Sequence, residues 1–384
     1  MATPGRYFRN PATSSSSQDT GIDAHAELLA SLDKITKLYP PVHTCSTGWS
    51  FSGLYSGPSS IAFLFYKLSL IYPDLEFGHQ SLRQWAEAYL ELGARVQNRT
   101  PTVNDCGIGD ETLVHLALEA VMSEESTLAN QVCSYAEVIN SPTDDVSNEW
   151  LYGRAGYLYL LRLCQGVFTH DKHPRTAARI ERAIKSTANR ILLVRQPWTW
   201  HGNKYLGAAD GFIGIITQVV LSVPSMATRL QPLLLALLDH HLQFPSGNFP
   251  PSLPVGSDRL VQFCHGGPSF VISLRTLLPY FPEIAEQIQK AMGQAQSDIW
   301  QRGLLTKEPC LRHGITGNAL AFDDDDQFLH FLSFLRSDNV ENLTQDSSRD
   351  NDEAGLYTGE AGRAWCWAVA DKKLPKICLG YNDV

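Results

Sequence analysis

The sequence predicts an all-α protein, an α/α toroid (a double-layered helical barrel) of seven helical-hairpin repeats. Three observations predict it. Apolar residues recur at intervals of three and four, as in Leu28, Leu29, Leu32, Ile35 and Leu38, and alternating β-branched runs are rare. A small-residue turn of the form G-x-x-G, sometimes degenerate, starts at Gly57, Gly107, Gly153, Gly211, Gly266, Gly314 and Gly359. The steps run from 45 residues (314 to 359) to 58 (153 to 211), which suits a unit of two helices. Finally, the helix after each turn is apolar nearly all round, as in Ile61–Leu70, Tyr157–Leu163, Ile215–Val223 and Val271–Leu278. Such helices are buried on every side. The helices between them are amphipathic, as in Pro174–Arg190 with its Arg and Lys face.

Taken in order, residues 1–23 read as an N-terminal arm, partly disordered through the run Ser14-Ser15-Ser16-Ser17. Residues 24–384 read as one repeat-built domain. An open solenoid would expose one flank of its inner helices, so a closed ring is expected. The glycine turns would then gather at one mouth, at the N-termini of the inner helices, where partial positive charge collects.

Bulk properties exclude several function classes. The chain has 384 residues and a net charge of -9, with no long basic run, so neither nucleic acid nor an anionic membrane is an expected partner. The longest apolar runs, such as Leu233–Leu238, are far short of a bilayer span. There is no secretory signal pattern. Eight scattered cysteines fit reduced thiols and a cytoplasmic location.

Chemistry-bearing side chains stand beside the turns: Glu149, Asp210, Cys264, His265, Arg312 and His313. Cysteine and histidine presented twice on glycine turns is how a chain builds a soft-metal or thiolate site. Asp323-Asp324-Asp325-Asp326 offers four carboxylates that would suit Mg²⁺. Its position after an inner helix favours a solvated loop at the end away from the mouth.

Five stretches carry a resemblance. They are Glu149-Trp-Leu-Tyr-Gly-Arg-Ala-Gly-Tyr157, Tyr205-Leu-Gly-Ala-Ala-Asp-Gly-Phe-Ile-Gly214, Phe263-Cys-His-Gly-Gly-Pro268, Arg312-His-Gly-Ile-Thr-Gly-Asn318 and Leu356-Tyr-Thr-Gly-Glu-Ala-Gly362. In these the sequence resembles the lanthionine synthetase C-like (LanC-like) family, most of all its eukaryotic, fungal-type branch. The resemblance implies a seven-repeat toroid with zinc at the mouth, held by two cysteines and a histidine. Zinc there would activate a thiol for addition to a dehydroamino acid, and glutathione is the thiol associated with eukaryotic relatives. Cys264 and His313 match two zinc ligands. Arg312 stands where the other cysteine is expected, and a guanidinium does not ligate zinc. Cys310 or Asp210 is the candidate third ligand. Asp210 replaces a histidine assigned to acid/base work, Phe263 a tryptophan, and Ser269 a glycine. Arg6, Lys307 and Arg349 match or lie beside positions that contact glutathione, and Glu149 matches a functional aspartate of bacterial cyclases.

The sequence therefore supports three readings. In one, zinc chemistry persists with a substitute ligand and glutathione as substrate. In another, a zinc-free catalyst uses Asp210 and Glu149 for acid/base work, with Cys264, Arg312 and His313 beside them. It would act on a small molecule of specialised metabolism, by cyclisation or thiol addition, with His265 and Phe263 helping to bind it. The third is a non-catalytic glutathione- or peptide-binding protein. Trp198, Trp200, Tyr205, Phe212 and Phe263 would suit an apolar substrate in the pocket.

Overall fold

The computed structural model describes residues 5–12, 21–42, 49–94, 100–143, 146–194, 196–339 and 354–384. Seven inner helices follow the seven turns: α2 (Pro58–Ile71), α4 (Glu111–Ser123), α7 (Arg154–Val167), α9 (Phe212–Ser222), α11 (Gly267–Leu277), α13 (Ile315–Ala319) and α15 (Glu360–Lys372). The other layer consists of α1 (Ala24–Leu38), α3 (Leu82–Ala94), α5 (Ser126–Ser134), α6 (Ala136–Ile139), α8 (Pro174–Leu193), α10 (Ala227–Leu238), α12 (Ala285–Arg302) and α14 (Asp325–Ser333). Each inner helix packs on the outer helix that follows it, while α15 packs on α1, so the two ends of the chain complete the seventh hairpin. Helix α15 also meets α2, which closes the inner ring.

Pattern explains position. In α7 every residue from Arg154 to Cys164 is buried, as an all-round apolar helix requires. In α8 one face is buried, Thr176, Ala177, Ile180, Ala183, Ile184, Thr187, Ala188, Ile191 and Leu192, at helical spacing, while Arg175, Arg179 and Arg182 are exposed. The sixth inner helix departs from expectation, since α13 has only five residues. The acidic run after it is structural. Asp324 caps α14 by accepting from Gln327 N at 2.8 Å, Asp323 pairs with Arg275 and Asp325 with Lys376.

Two features place the site. The first is a ring of main-chain bonds joining turn to turn: Leu54 N to Ile108 O (2.8 Å), Ile108 N to Trp150 O (3.3 Å), Trp150 N to Ala209 O (3.2 Å), Cys264 N to Arg312 O (3.1 Å), Arg312 N to Tyr357 O (3.1 Å) and Tyr357 N to Tyr55 O (3.0 Å). Between the fourth and fifth turns Gly207 closes the ring by contact, because a Cβ there would lie 1.9 Å from Cys264 O. The second is the C-terminal segment, which fills the barrel axis. Its Gly380 carbonyl accepts from the Trp150 indole at 3.0 Å, its Leu379 carbonyl from Tyr357 OH at 2.7 Å and its Tyr381 carbonyl from the Gln218 amide at 2.9 Å. Tyr381 and Ser273 share a hydroxyl contact of 2.6 Å.

Candidate active site at the mouth of the barrel

Trp150, Phe263, Tyr357 and Tyr381 pack on one another with ring centroids 5.0 to 6.0 Å apart, forming an aromatic floor between the tail and the turns. Phe263 therefore belongs to this floor, 1% exposed. The side chains with chemistry stand above it.

Cys264 and Arg312 are set by the main-chain ring, since each turn fixes the next. Gly266 adopts φ +104° at the start of α11, a conformation that suits glycine, and Pro268 follows in the first turn of that helix. The Cys264 thiol is buried and accepts a hydrogen bond from the Gln262 amide at 3.0 Å. Burial pushes its pKa up, and the opposing pull of Arg312 does not reverse this, so the thiol is neutral at pH 7.

Arg312 is the central charge. Its guanidinium lies 5.2 Å from the centre of the Tyr55 ring, which stacks on Tyr357. Among the described residues it takes no ion pair and no side-chain hydrogen bond. Its field reaches Tyr55, Cys264, Asp210 and Cys310. A half-buried cation left without an anion is costly unless a ligand supplies one.

Asp210 and His265 form the reachable pair. His265 Nε2 lies 3.9 Å from Asp210 Oδ2, and their side chains are 16 and 21% exposed, enough for a substrate to touch. Burial raises the Asp210 pKa, against the pull of Arg312 and His201. Burial, then Arg312, lowers His265 to about 4, so its ring is neutral at pH 7, and its Nδ1 is buried without a partner. His313 is likewise held to about 4 by burial, then by Lys307 and Arg312.

Glu149 lies deeper, 1% exposed, and accepts from Ser147 Oγ at 2.6 Å and from Leu151 N and Tyr152 N. These bonds hold the third turn. Burial first, then Asp210, raises its pKa to about 8. It is thus a turn-holding carboxyl that feels the site charge. Beside it a cleft of about 10 Å³, room for one water, is lined by Glu149, Trp198, Trp200, Tyr205, Asp210 and Phe212.

The outer rim is basic. The arm pairs Tyr7 with Leu305 and accepts Thr306 N on the Arg6 carbonyl at 3.1 Å, which brings exposed Arg6 beside the segment carrying half-buried Lys307. Arg349, the Ser14–Ser17 run and Cys45 lie outside the described residues.

The donor set does not fit zinc. Cys264 and His313 come to the mouth, but a guanidinium stands between them in sequence and charge. Among the described residues no three His, Cys, Asp or Glu side chains are grouped to hold a metal. Cys310 is buried and accepts the backbone N–H groups of His313 and Arg312, with its pKa pushed up to about 11 by burial. That contact ties the sulfur to the sixth turn.

Reasoning from sequence missed Tyr55, Tyr152 and Gln262. A signal existed: two residues before the turn glycine stand Tyr55, Cys264, Arg312 and Tyr357 alike. Aligning the repeats on Gly57, Gly266, Gly314 and Gly359 would have found the first.

The chain was compared with known proteins. The family profile described as "Lanthionine synthetase C-like protein" matches residues 48–377. Zebrafish (Danio rerio) "Glutathione S-transferase LANCL1" is 29% identical over 290 residues, covering 70% of this chain and 68% of that one. Arabidopsis thaliana "LanC-like protein GCL1" is 31% identical over 257 residues, 60% of this chain and 57% of that one, little more than half of the plant protein. Among solved structures, "Nisin cyclase" superposes with a TM-score of 0.60 over 92% of this chain and 94% of its own, at 12% identity, a likeness of fold.

Proposed function

The chain belongs to the lanthionine synthetase C-like family, and on that premise we propose that it is a zinc-independent member, an enzyme running acid/base addition or cyclisation on a small molecule at the toroid mouth. The observation that carries the proposal is Arg312, a fixed cation with no ion-pair partner among the described residues, where the family resemblance calls for a metal-binding thiolate.

The arrangement divides the work. Arg312 holds the carbonyl oxygen of the substrate and stabilises charge that develops on it. Asp210, with its raised pKa, accepts the proton of the attacking hydroxyl or thiol. The nucleophile then adds to the carbon–carbon double bond conjugated with that carbonyl, and the electron pair moves to the oxygen on Arg312. Asp210 returns the proton to the α carbon as the enolate collapses. When nucleophile and acceptor share one molecule the product is a ring, and with a separate thiol it is a thioether. His265 faces Asp210 as a neutral imidazole and orients it.

A second reading is glutathione addition. The basic rim of Arg6 and Lys307 favours it, because that rim suits a thiol substrate bearing carboxylates. Loss of catalysis with retained binding is the third outcome.

The test uses protein treated with 1,10-phenanthroline and small-molecule extract from its source cells, with conversion followed by mass spectrometry. Conversion should survive chelation and fall roughly 10²–10³-fold in Arg312→Gln, the loss typical of one oxyanion donor. Asp210→Asn should abolish it. Conversion lost on chelation and regained with zinc, or left intact in Asp210→Asn, overturns the proposal. Conversion that requires added glutathione selects the second reading.

A further inference from the structure

The rim next to Asp210 carries a tight aromatic hairpin. Trp198 is buried, packs on Phe212 at 5.4 Å and donates to Ile191 O at 3.3 Å, anchoring the loop. Two residues on, Trp200 and Asn203 exchange both main-chain bonds (2.9 and 3.0 Å) around His201 and Gly202, which have φ +48° and +75°. Two left-handed residues make a tight hairpin turn of fixed twist. The hairpin continues into Lys204–Tyr205, which pairs with Ser252–Leu253. Trp200 is therefore held on a stiff support, not on a free loop.

This support presents an aromatic surface. The Trp200 ring lies 6.1 Å from that of Tyr152, tilted by 31°, and Tyr152 remains 40% exposed. Trp200 and Tyr205 line one small cleft with Glu149 and Asp210, so the surface runs from Trp200 to the charged centre. Tyr205 continues it on the His265 side at 5.6 Å. The polar members of this surface are His201, whose ring lies 4.1 Å from that of Trp200, and Asn203. The Asn203 amide is used on His201 O and Tyr205 OH.

An aromatic wall ending at a guanidinium that has no ion-pair partner among the described residues is complementary to a flat body ending in an anion. A flexible peptide would lose more entropy on it than stacking returns. We infer that the mouth takes a planar conjugated acid, its anionic or enolisable oxygen on Arg312 and its flat face on the Tyr152–Trp200 wall. The inference rests on reading the mouth as an anion-holding catalytic site and names the substrate class of that site. Conjugation is also what the proposed addition requires of its acceptor.

Binding, not turnover, tests it, so that failure of the catalytic proposal stays separate. trans-Cinnamate and 3-cyclohexylpropionate have the same number of carbons and one carboxylate each, and differ in planarity. Titrations are read on indole N–H signals by NMR, with Trp200 assigned from Trp200→Phe. Cinnamate should move the Trp200 signal and bind about five-fold more tightly than the saturated acid, the size of one stacking contact. Trp200→Leu, which keeps apolar bulk, should erase the preference, and Arg312→Gln should weaken both acids alike. Equal affinity for the two acids, no binding of cinnamate at millimolar concentration, or glutathione binding as tightly as cinnamate overturns the inference. Cinnamate binding as described, with no conversion in the extract experiment, upholds the substrate class and removes the catalytic proposal.

Discussion

At the far end of the barrel axis Asp383 meets Lys67 at 2.8 Å and accepts from Tyr159 OH at 3.0 Å and Gly380 N at 2.8 Å. At the mouth, Arg312 faces no carboxylate partner among the described residues, and His265 stands 3.9 Å from Asp210 with a buried nitrogen unused. Both places bury charge, and they do so to different ends. A paired and hydrogen-bonded ion holds the tail in the ring. A cation held off from a carboxylate stays open to an anionic ligand.

The contrast can be broken most directly at its two cations. Lys67→Met leaves Asp383 buried without its partner and should lose about 3–5 kcal/mol in urea unfolding. Arg312→Gln removes a charge without an ion-pair partner among the described residues and should change stability by under about 1 kcal/mol while lowering activity roughly 10²–10³-fold. Equal losses would mean that the two ends do not differ. A second experiment sharpens the mouth alone. Arg312→Cys restores a second thiol between Cys264 and His313, and the variant should gain about one zinc per chain by mass spectrometry, against far less in the parent. Parent protein with full zinc would show that the donor set is completed by residues other than these.

A further prediction is a pH dependence. The folded value of His265, about 4, lies below its ordinary 6.5, so the neutral ring is favoured by folding. Its contribution is present above pH 6.5 and is lost as pH falls through 4, about 3 kcal/mol in all. Ring titration by NMR should show this low value, and Arg312→Gln should raise it only in part, because burial is the larger cause. A ring that titrates near 6.5 would place His265 in solvent.

The repeat was legible because it is written in spacing: glycine turns and apolar helices recur, and the ring follows from them. The short sixth helix was not, since Thr316-Gly317-Asn318 continues the same motif while the helix ends at Ala319 and the next begins at Asp325. At the site, residue types were readable but depth was not. Glu149 and Asp210 look alike in sequence, yet three donors and full burial set the first apart. The axial tail was invisible, because Cys378-Leu379-Gly380-Tyr381 has no period and its partners are 22 to 230 residues away.

The hydrogen bonds that run from turn to turn are made by backbone atoms at Cys264, Arg312 and Tyr357. Such a frame is indifferent to what it carries. A cysteine, an arginine or a tyrosine can be mounted at these positions without disturbing the atoms that hold the mounting. Chemistry at the mouth can therefore be exchanged one side chain at a time, at little cost to the barrel, and successive exchanges add up to a different reaction on an unaltered chassis.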